Sequence, residues 1–305
     1  MVLLDELSTT TNNSTLENHT RAHMRIRVLV ITVPAVILML WTAPSVGANT
    51  APPPAQPTIH IELGIGIAGA HFADYPGASR YWNLLLPIPY ITVHTPHLDA
   101  NREGVTGKLF HNDRWTLNVD FSASVPVDSL RDAERGGMPN LGWIGETGPI
   151  LKYRIWSDEH AGLKLEAGLP LRVAVSTDGW QLHHRGWVVE PWIELSRKWG
   201  QGDREYHADF TLSSLYATGG YFNYIYGVAP PYATPTRPAY IAGSGRGGYR
   251  VSLGFGWRHG DMVFGAFYRY INLGGASFNA SPLVSQRHQN AFGIAIAWVL
   301  RKFDY

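Results

Sequence analysis

The sequence predicts an all-β protein: a transmembrane antiparallel β-barrel of about ten strands, with twelve as the alternative. Three observations carry that prediction. Apolar and polar side chains alternate strictly, in runs of about ten or more residues, the length a tilted strand needs to cross a bilayer. Short and long connections succeed one another between those runs, and a leader of secretory type precedes them.

The amino end sets the address. Residues 1–23 are polar and unpatterned and read as a non-native or mis-assigned extension, with Met24 as the true start. Met24-Arg25-Ile26-Arg27 is basic, 28–41 is apolar, and Ala43-Pro44-Ser45-Val46-Gly47-Ala48 closes on small side chains. That is the pattern of a signal peptide over 24–48, cleaved after Ala48. A membrane anchor is the competing reading, but the apolar run is shorter than the ~18–20 residues a spanning helix needs. Residues 49–57, with Pro52, Pro53 and Pro54, form an extended periplasmic lead-in to a barrel over 58–305.

The first strand shows Ile59, Ile61, Leu63, Ile65 and Ile67 against His60, Glu62, Gly64, Gly66 and Ala68. Successive strand side chains point to opposite faces, so one face is apolar and the other polar. The pattern returns at Trp115, Leu117, Val119 and Phe121, and again from Leu163 to Val173. Further strands are predicted at 141–156, 186–199, 204–217, 248–258, 261–273 and 290–303. Short connections fall at 111–113, 157–161, 200–203 and 259–260, and long ones at 126–140, 177–185, 218–247 and 274–289. Short turns of bacterial barrels face the periplasm and long loops face outside. Both termini are then periplasmic and the strand number is even.

The count closes at ten if 84–110 supplies one membrane strand and Pro87 and Pro89 lie in a loop or hairpin. Twelve strands would need another crossing, for which 221–228 is the candidate. At the carboxyl end Phe292, Ile294, Ile296, Trp298 and Leu300 alternate outward, whereas Phe303 and Tyr305 fall in the opposite phase. A bulge or strand end is therefore predicted near Arg301.

Composition agrees without deciding the class. The apolar fraction of 45% is ordinary for a soluble chain, as expected of a barrel whose inner face is polar. A formal charge of +1 argues against nucleic-acid binding, and the lack of cysteine excludes disulfides and thiol chemistry. The 11 Trp, 15 Tyr and 11 Phe suit aromatic girdles at the two interfaces, or equally a soluble core.

The predicted inner face holds His60, Glu62, Asn118, Asp120, Lys164, Glu166, Arg172, Glu190, Glu194, His207, Asp209, Arg250 and Arg258. Both signs are mixed there. In a narrow barrel opposed charges should pair across the lumen and plug it, because an unpaired buried charge is costly. A narrow polar channel for small solutes is the alternative.

Other constellations carry less. Gly64-Ile65-Gly66-Ile67-Ala68-Gly69 matches a dinucleotide-binding fingerprint, but it lies inside an alternating strand with no helix after it. Small residues inside a barrel account for it better. His183-His184, flanked by Trp180 and Trp187, is expected in an outside loop, solvated rather than metal-bound. Ser213 and His207 stand too far apart on one strand to form a hydrolytic pair. The aromatic run Tyr221-Phe222-Asn223-Tyr224-Ile225-Tyr226, with Pro230-Pro231-Tyr232, is either a binding surface or the packing of a loop over the barrel mouth. No cofactor, metal or catalytic group is expected.

Several segments resemble the MipA/OmpV family of Gram-negative outer-membrane proteins. They are Pro87-Ile88-Pro89-Tyr90-Ile91, Arg135-Gly136-Gly137-Met138-Pro139, Gly148-Pro149, Tyr224-Ile225-Tyr226-Gly227-Val228, Arg237-Pro238-Ala239-Tyr240 and Ser281-Pro282-Leu283-Val284. They occur in the family's order over 58–303. The resemblance implies a barrel in contact with outer-membrane lipid. For some members it implies a non-enzymatic scaffold that joins a lytic transglycosylase to a peptidoglycan synthase. It brings no catalytic residues. A diffusion channel and, further off, a lipid-modifying barrel enzyme are the competing functions.

Overall fold

The computed structural model describes residues 59–94, 98–101, 104–178 and 181–304. The leader, the lead-in 49–57 and Trp180 lie outside the described residues. One antiparallel sheet of thirteen strands closes on itself. Its long strands are β1 (His60–Ala73), β2 (Tyr81–His94), β5 (Trp115–Ser124), β6 (Ile144–Asp158), β7 (Leu163–Asp178), β10 (Arg204–Ala217), β11 (Gly245–His259), β12 (Met262–Asn272) and β13 (His288–Asp304). A short hairpin, β3 (Leu98–Asn101) and β4 (Gly104–His111), stands between β2 and β5. Between β7 and β10, β8 (Gln181–Val189) and β9 (Trp192–Gln201) lie end to end, because β7 pairs with both.

β8 and β9 thus share one place, and the ring has twelve. Nine of these hold strands that alternation predicted, and a tenth holds β2, which the sequence reading placed only by closing the count. The other two hold β3 and β4, so the twelve-place ring is completed within 84–110 and not at 221–228. That later segment is a helix, α1 (Gly219–Tyr226). Phe222 and Tyr226 are four apart, as are Tyr221 and Ile225, and all four are buried on one helical face.

The exposed apolar residues form the lipid belt. Leu63, Ile65 and Ile67 of β1 point outward beside Phe292, Ile294 and Trp298 of β13. The expected bulge is present: Leu63 pairs with Arg301 and Gly64 with Val299, which leaves Leu300 unpaired. Gly64 and Gly66 lie within this ladder, and a Cβ on Gly64 would overlap the Trp298 carbonyl. The backbones approach so closely that only glycine fits, which explains the fingerprint without a nucleotide.

Three placements differ from the sequence reading. Pro87 and Pro89 lie within β2 and not in a loop or hairpin. The long loop expected over 177–185 is replaced by strand, since Asp178 pairs with Gln181 and β8 continues through His183 and His184. The two histidines are thus on a strand, opposite Ser176 and Val175. The strand expected over 186–199 is broken at Glu190-Pro191, where proline cannot donate to the ladder.

Candidate functional site

The charged residues expected inside the barrel form ion pairs that run mainly along the wall, between nearby strands, rather than across the lumen. Arg172 on β7 is the hub. Its guanidinium reaches Asp120 on β5 at 2.9 Å, Glu146 on β6 at 3.0 Å and Glu190, between β8 and β9, at 2.9 Å. Arg250 on β11 holds the other Glu190 oxygen at 2.6 Å, and the Ser213 hydroxyl donates to the same atom. Asn118 is buried on β5. Lower on this wall Lys164 pairs with Glu166 at 2.6 Å, Thr211 donates to Glu194, and His207 lies 3.4 Å from Asp209.

Ser213 is therefore part of the ion cluster, which leaves no hydrolytic pair with His207. Glu146 escaped the sequence reading, as did the contact that Tyr221 of the aromatic run makes with it. The phase of Glu146 on β6 also carries the buried Ile144 and Ile150, so alternation hides it. Tyr221 reaches Glu146 from α1 with a 2.9 Å hydrogen bond, a contact no local pattern announces. Burial raises the Tyr221 pKa well above its usual value, which keeps the hydroxyl a donor.

At the end of the barrel that carries the short turns, Arg258 clamps both oxygens of Glu62, which also accepts from Thr92, while His60 bridges Glu62 and Asp304. Among the described residues this is the ion pair with the longest reach, from β11 over β12 and β13 to β1. Above the short turn at 200–203 opens a cavity of about 680 Å3, lined by Glu62, Tyr90, Lys198, Glu205, His207 and Arg258.

The opposite end is closed by loops. Phe222, Tyr226 and Phe278 form the centre, with the Tyr226 and Phe278 rings stacked at 3.7 Å. Tyr75, Val127, Leu141, Ala242 and Leu273 pack around them, all buried. Met138, Val228 and Leu283 form a second apolar knot with Tyr232 and Tyr240. Arg135, 3% exposed, ties the loops together through the Ile225 and Pro139 carbonyls and the Ser129 hydroxyl. Arg237 does the same through the carbonyls of Glu134, Gly136 and Tyr232. Four of the resemblance motifs thus build this plug, so the aromatic run at 221–226 is loop packing.

Three carboxylates lie under the plug. Burial raises the pKa of Asp132 to about 6, opposed in part by the Arg135 backbone N–H. Burial also raises Asp74, against the pull of Arg80 at 3.5 Å. Glu134 is lowered, because hydroxyls of Ser285 and Ser79 outweigh its burial. Asp132 binds its proton more tightly folded than unfolded, so its contribution favours the closed loops at acid pH. It declines as pH rises from the unfolded value through about 6 and is flat above that. Amide protection across 128–141, corrected for intrinsic exchange, should be higher at pH 5 than at pH 7.5. Asp132→Asn should flatten the difference.

A family model for MltA-interacting protein MipA matches residues 65–300. The chain belongs to this family. The matched span takes in the lipid belt, the charged wall and the whole plug of this MipA-family barrel. No curated protein matches it. Among solved structures it is similar to the NanC porin, at 11% identity and a TM-score of 0.35, over 77% of this chain and 100% of that one. It is also similar to the outer-membrane protease OmpT of Escherichia coli, at 9% identity and a TM-score of 0.28, over 81% and 97%. OccK1 of Pseudomonas aeruginosa follows at 10% identity and a TM-score of 0.24, over 82% and 99%. This MipA-family chain is a closed antiparallel β-barrel.

Proposed function

We propose that this barrel is a non-enzymatic scaffold of the outer membrane that engages murein-synthesis and murein-hydrolysis enzymes from its periplasmic side. The partners of this reading are a lytic transglycosylase and a peptidoglycan synthase. One observation carries it: the end with the long loops is filled by a buried aromatic plug, while the cavity of about 680 Å3 opens at the end with the short turns, which this reading places in the periplasm. A sealed mouth does not suit a channel, and a periplasmic vestibule suits a docking partner. The name of the matched family, MltA-interacting protein, agrees with this direction.

The short periplasmic turns offer little area of their own, so the vestibule and the lead-in 49–57 supply the docking surface. Affinity capture from native Gram-negative membranes should recover murein enzymes with the intact chain. Deleting 49–57 should weaken their recovery while the barrel keeps its heat-modifiable gel mobility. If well-folded barrel never recovers a murein enzyme, the scaffold reading is lost.

A further inference from the structure

The barrel wall is incomplete on its outer half. β2 is paired to β1 along its whole length, from Tyr81 to His94. On its other edge, among the described residues, only Val93 and His94 have a ladder partner, in β3. Among the same residues β5 pairs with β4 only up to Val119, and Asp120 to Ser124 have no partner on that side. The β3–β4 hairpin fills the periplasmic half alone. Above it, no ladder joins β2 to β5 among the described residues. Two missing strands leave three interstrand spacings, a notch about 14 Å wide.

An open sheet edge is not tolerated in hydrocarbon unless it lines a hydrated cavity or is covered by protein. Pro87 and Pro89 decide between these. The β1 ladder runs unbroken past both, so their ring nitrogens face away from β1 and into the notch. Asn83, Leu85, Pro87, Pro89 and Ile91 share that orientation, and the two prolines have no N–H to give. The edge is thereby blunted against a further strand.

The lumen behind the notch has two unlike walls. β5 to β11 carry the ion cluster, whereas the inner face of β12, β13, β1 and β2 is small and apolar at mid-depth, between Glu62 at one end and Arg269 and Gln289 at the other. Cross-strand pairs place Phe267 beside Gly293, Ala68 beside both Ala295 and Leu86, and Gly66 beside Ile88 on that face. Its side chains do not fill the space. Phe267 and Leu86 are each 43% exposed although they point inward, and a Cβ added at Gly265 meets nothing within 4 Å. At the notch β2 is apolar on both faces, with Leu85 75% exposed outside and Leu86 inside. A strand with hydrocarbon on one face only would not need this.

We propose that the notch between β2 and β5 admits an acyl chain of an outer-leaflet lipid into the lumen, where it lies against the apolar wall of β12, β13, β1 and β2. The headgroup stays at the outer rim, and the charged wall keeps water along the other side of the chain. The proposal needs no second protein and is independent of the scaffold reading.

The full chain is reconstituted in phosphatidylethanolamine vesicles with a phospholipid bearing a diazirine near the end of one acyl chain. After illumination, adducts are mapped by peptide mass spectrometry. Adducts are expected on the inward Leu84, Leu86 and Phe267 as well as on the outward Ile65 and Ile294. Gly265→Trp, at a position where an added Cβ meets nothing within 4 Å, should remove the Phe267 and Leu86 adducts and leave those on Ile65. Should that variant fail the gel-mobility test of folding, Ala68→Trp fills the same space from β1. Adducts confined to outward residues of the unmodified chain overturn the proposal. So does a dimer cross-linked through the β2 edge, or inward labelling seen only after removal of 49–57.

Discussion

Replacing Arg172 with methionine should cost the barrel about 3–5 kcal/mol of stability, the usual penalty for removing one partner of a buried ion cluster. The Arg172 side chain is 9% exposed and that of Glu146 is 6% exposed. Asp120 and Glu146 would lose their guanidinium partner, and Glu190 would keep only Arg250 and Ser213. Arg172→Lys should recover little, because an ammonium cannot present three directed donors to carboxylates on three strands. Adding Glu146→Gln to Arg172→Met should regain part of the loss, since one orphaned charge is removed. The measurement is equilibrium unfolding in guanidinium, followed by tryptophan fluorescence and heat-modifiable mobility together. A change of less than about 0.5 kcal/mol, the range of ordinary surface substitutions, would mean that lumen water solvates the carboxylates.

Sequence alternation revealed the lipid-facing half of this barrel because lipid contact is local and periodic. Every residue from Leu163 to Val173 keeps its phase, and so do Trp115 to Phe121 and Phe292 to Leu300. The signal fails wherever a strand leaves that regime. β2 is apolar on both faces, so parity cannot register it, and its prolines read as a loop. β8 and β9 read as one strand until Glu190-Pro191 interrupts the ladder. The charges were legible as one phase of the alternation, but not their partners, because register between strands decides that Arg172 meets Glu146. The plug was hidden for the same reason. Arg135, Tyr226, Phe278 and Leu283 belong to three separate loops, and only the closed ring brings these loops together. Five of the six resemblance motifs mark the plug and the β2 edge, where side chains meet across distant segments, and the sixth, Gly148-Pro149, lies within β6.

Excision of the plug should turn a silent barrel into a conducting one. Thr218 and Ser244 flank the segment to be removed, and their neighbours Ala217 and Gly245 are paired across β10 and β11. The Gly219 N–H donates to the Ser244 hydroxyl, so the two ends already meet and a two-glycine link can replace 219–243. The excision takes out Phe222 and Tyr226, whose truncation in a packed core costs about 3–5 kcal/mol for an aromatic residue, and it also takes out Arg237. The loops at 125–143 and 273–287 would then lose their common centre, while the ring of strands keeps its ladders. In planar bilayers the intact chain should give no steady steps, and the excised chain should give steps that rise with salt. Steady conductance of the intact chain would put the channel reading ahead of the scaffold. Silence of a well-folded excised chain would place the seal lower, at Arg172, Glu190 and Arg250, where Arg172→Met should then open it. The two experiments together locate the closure, because the plug and the ion cluster sit at different depths of the same lumen.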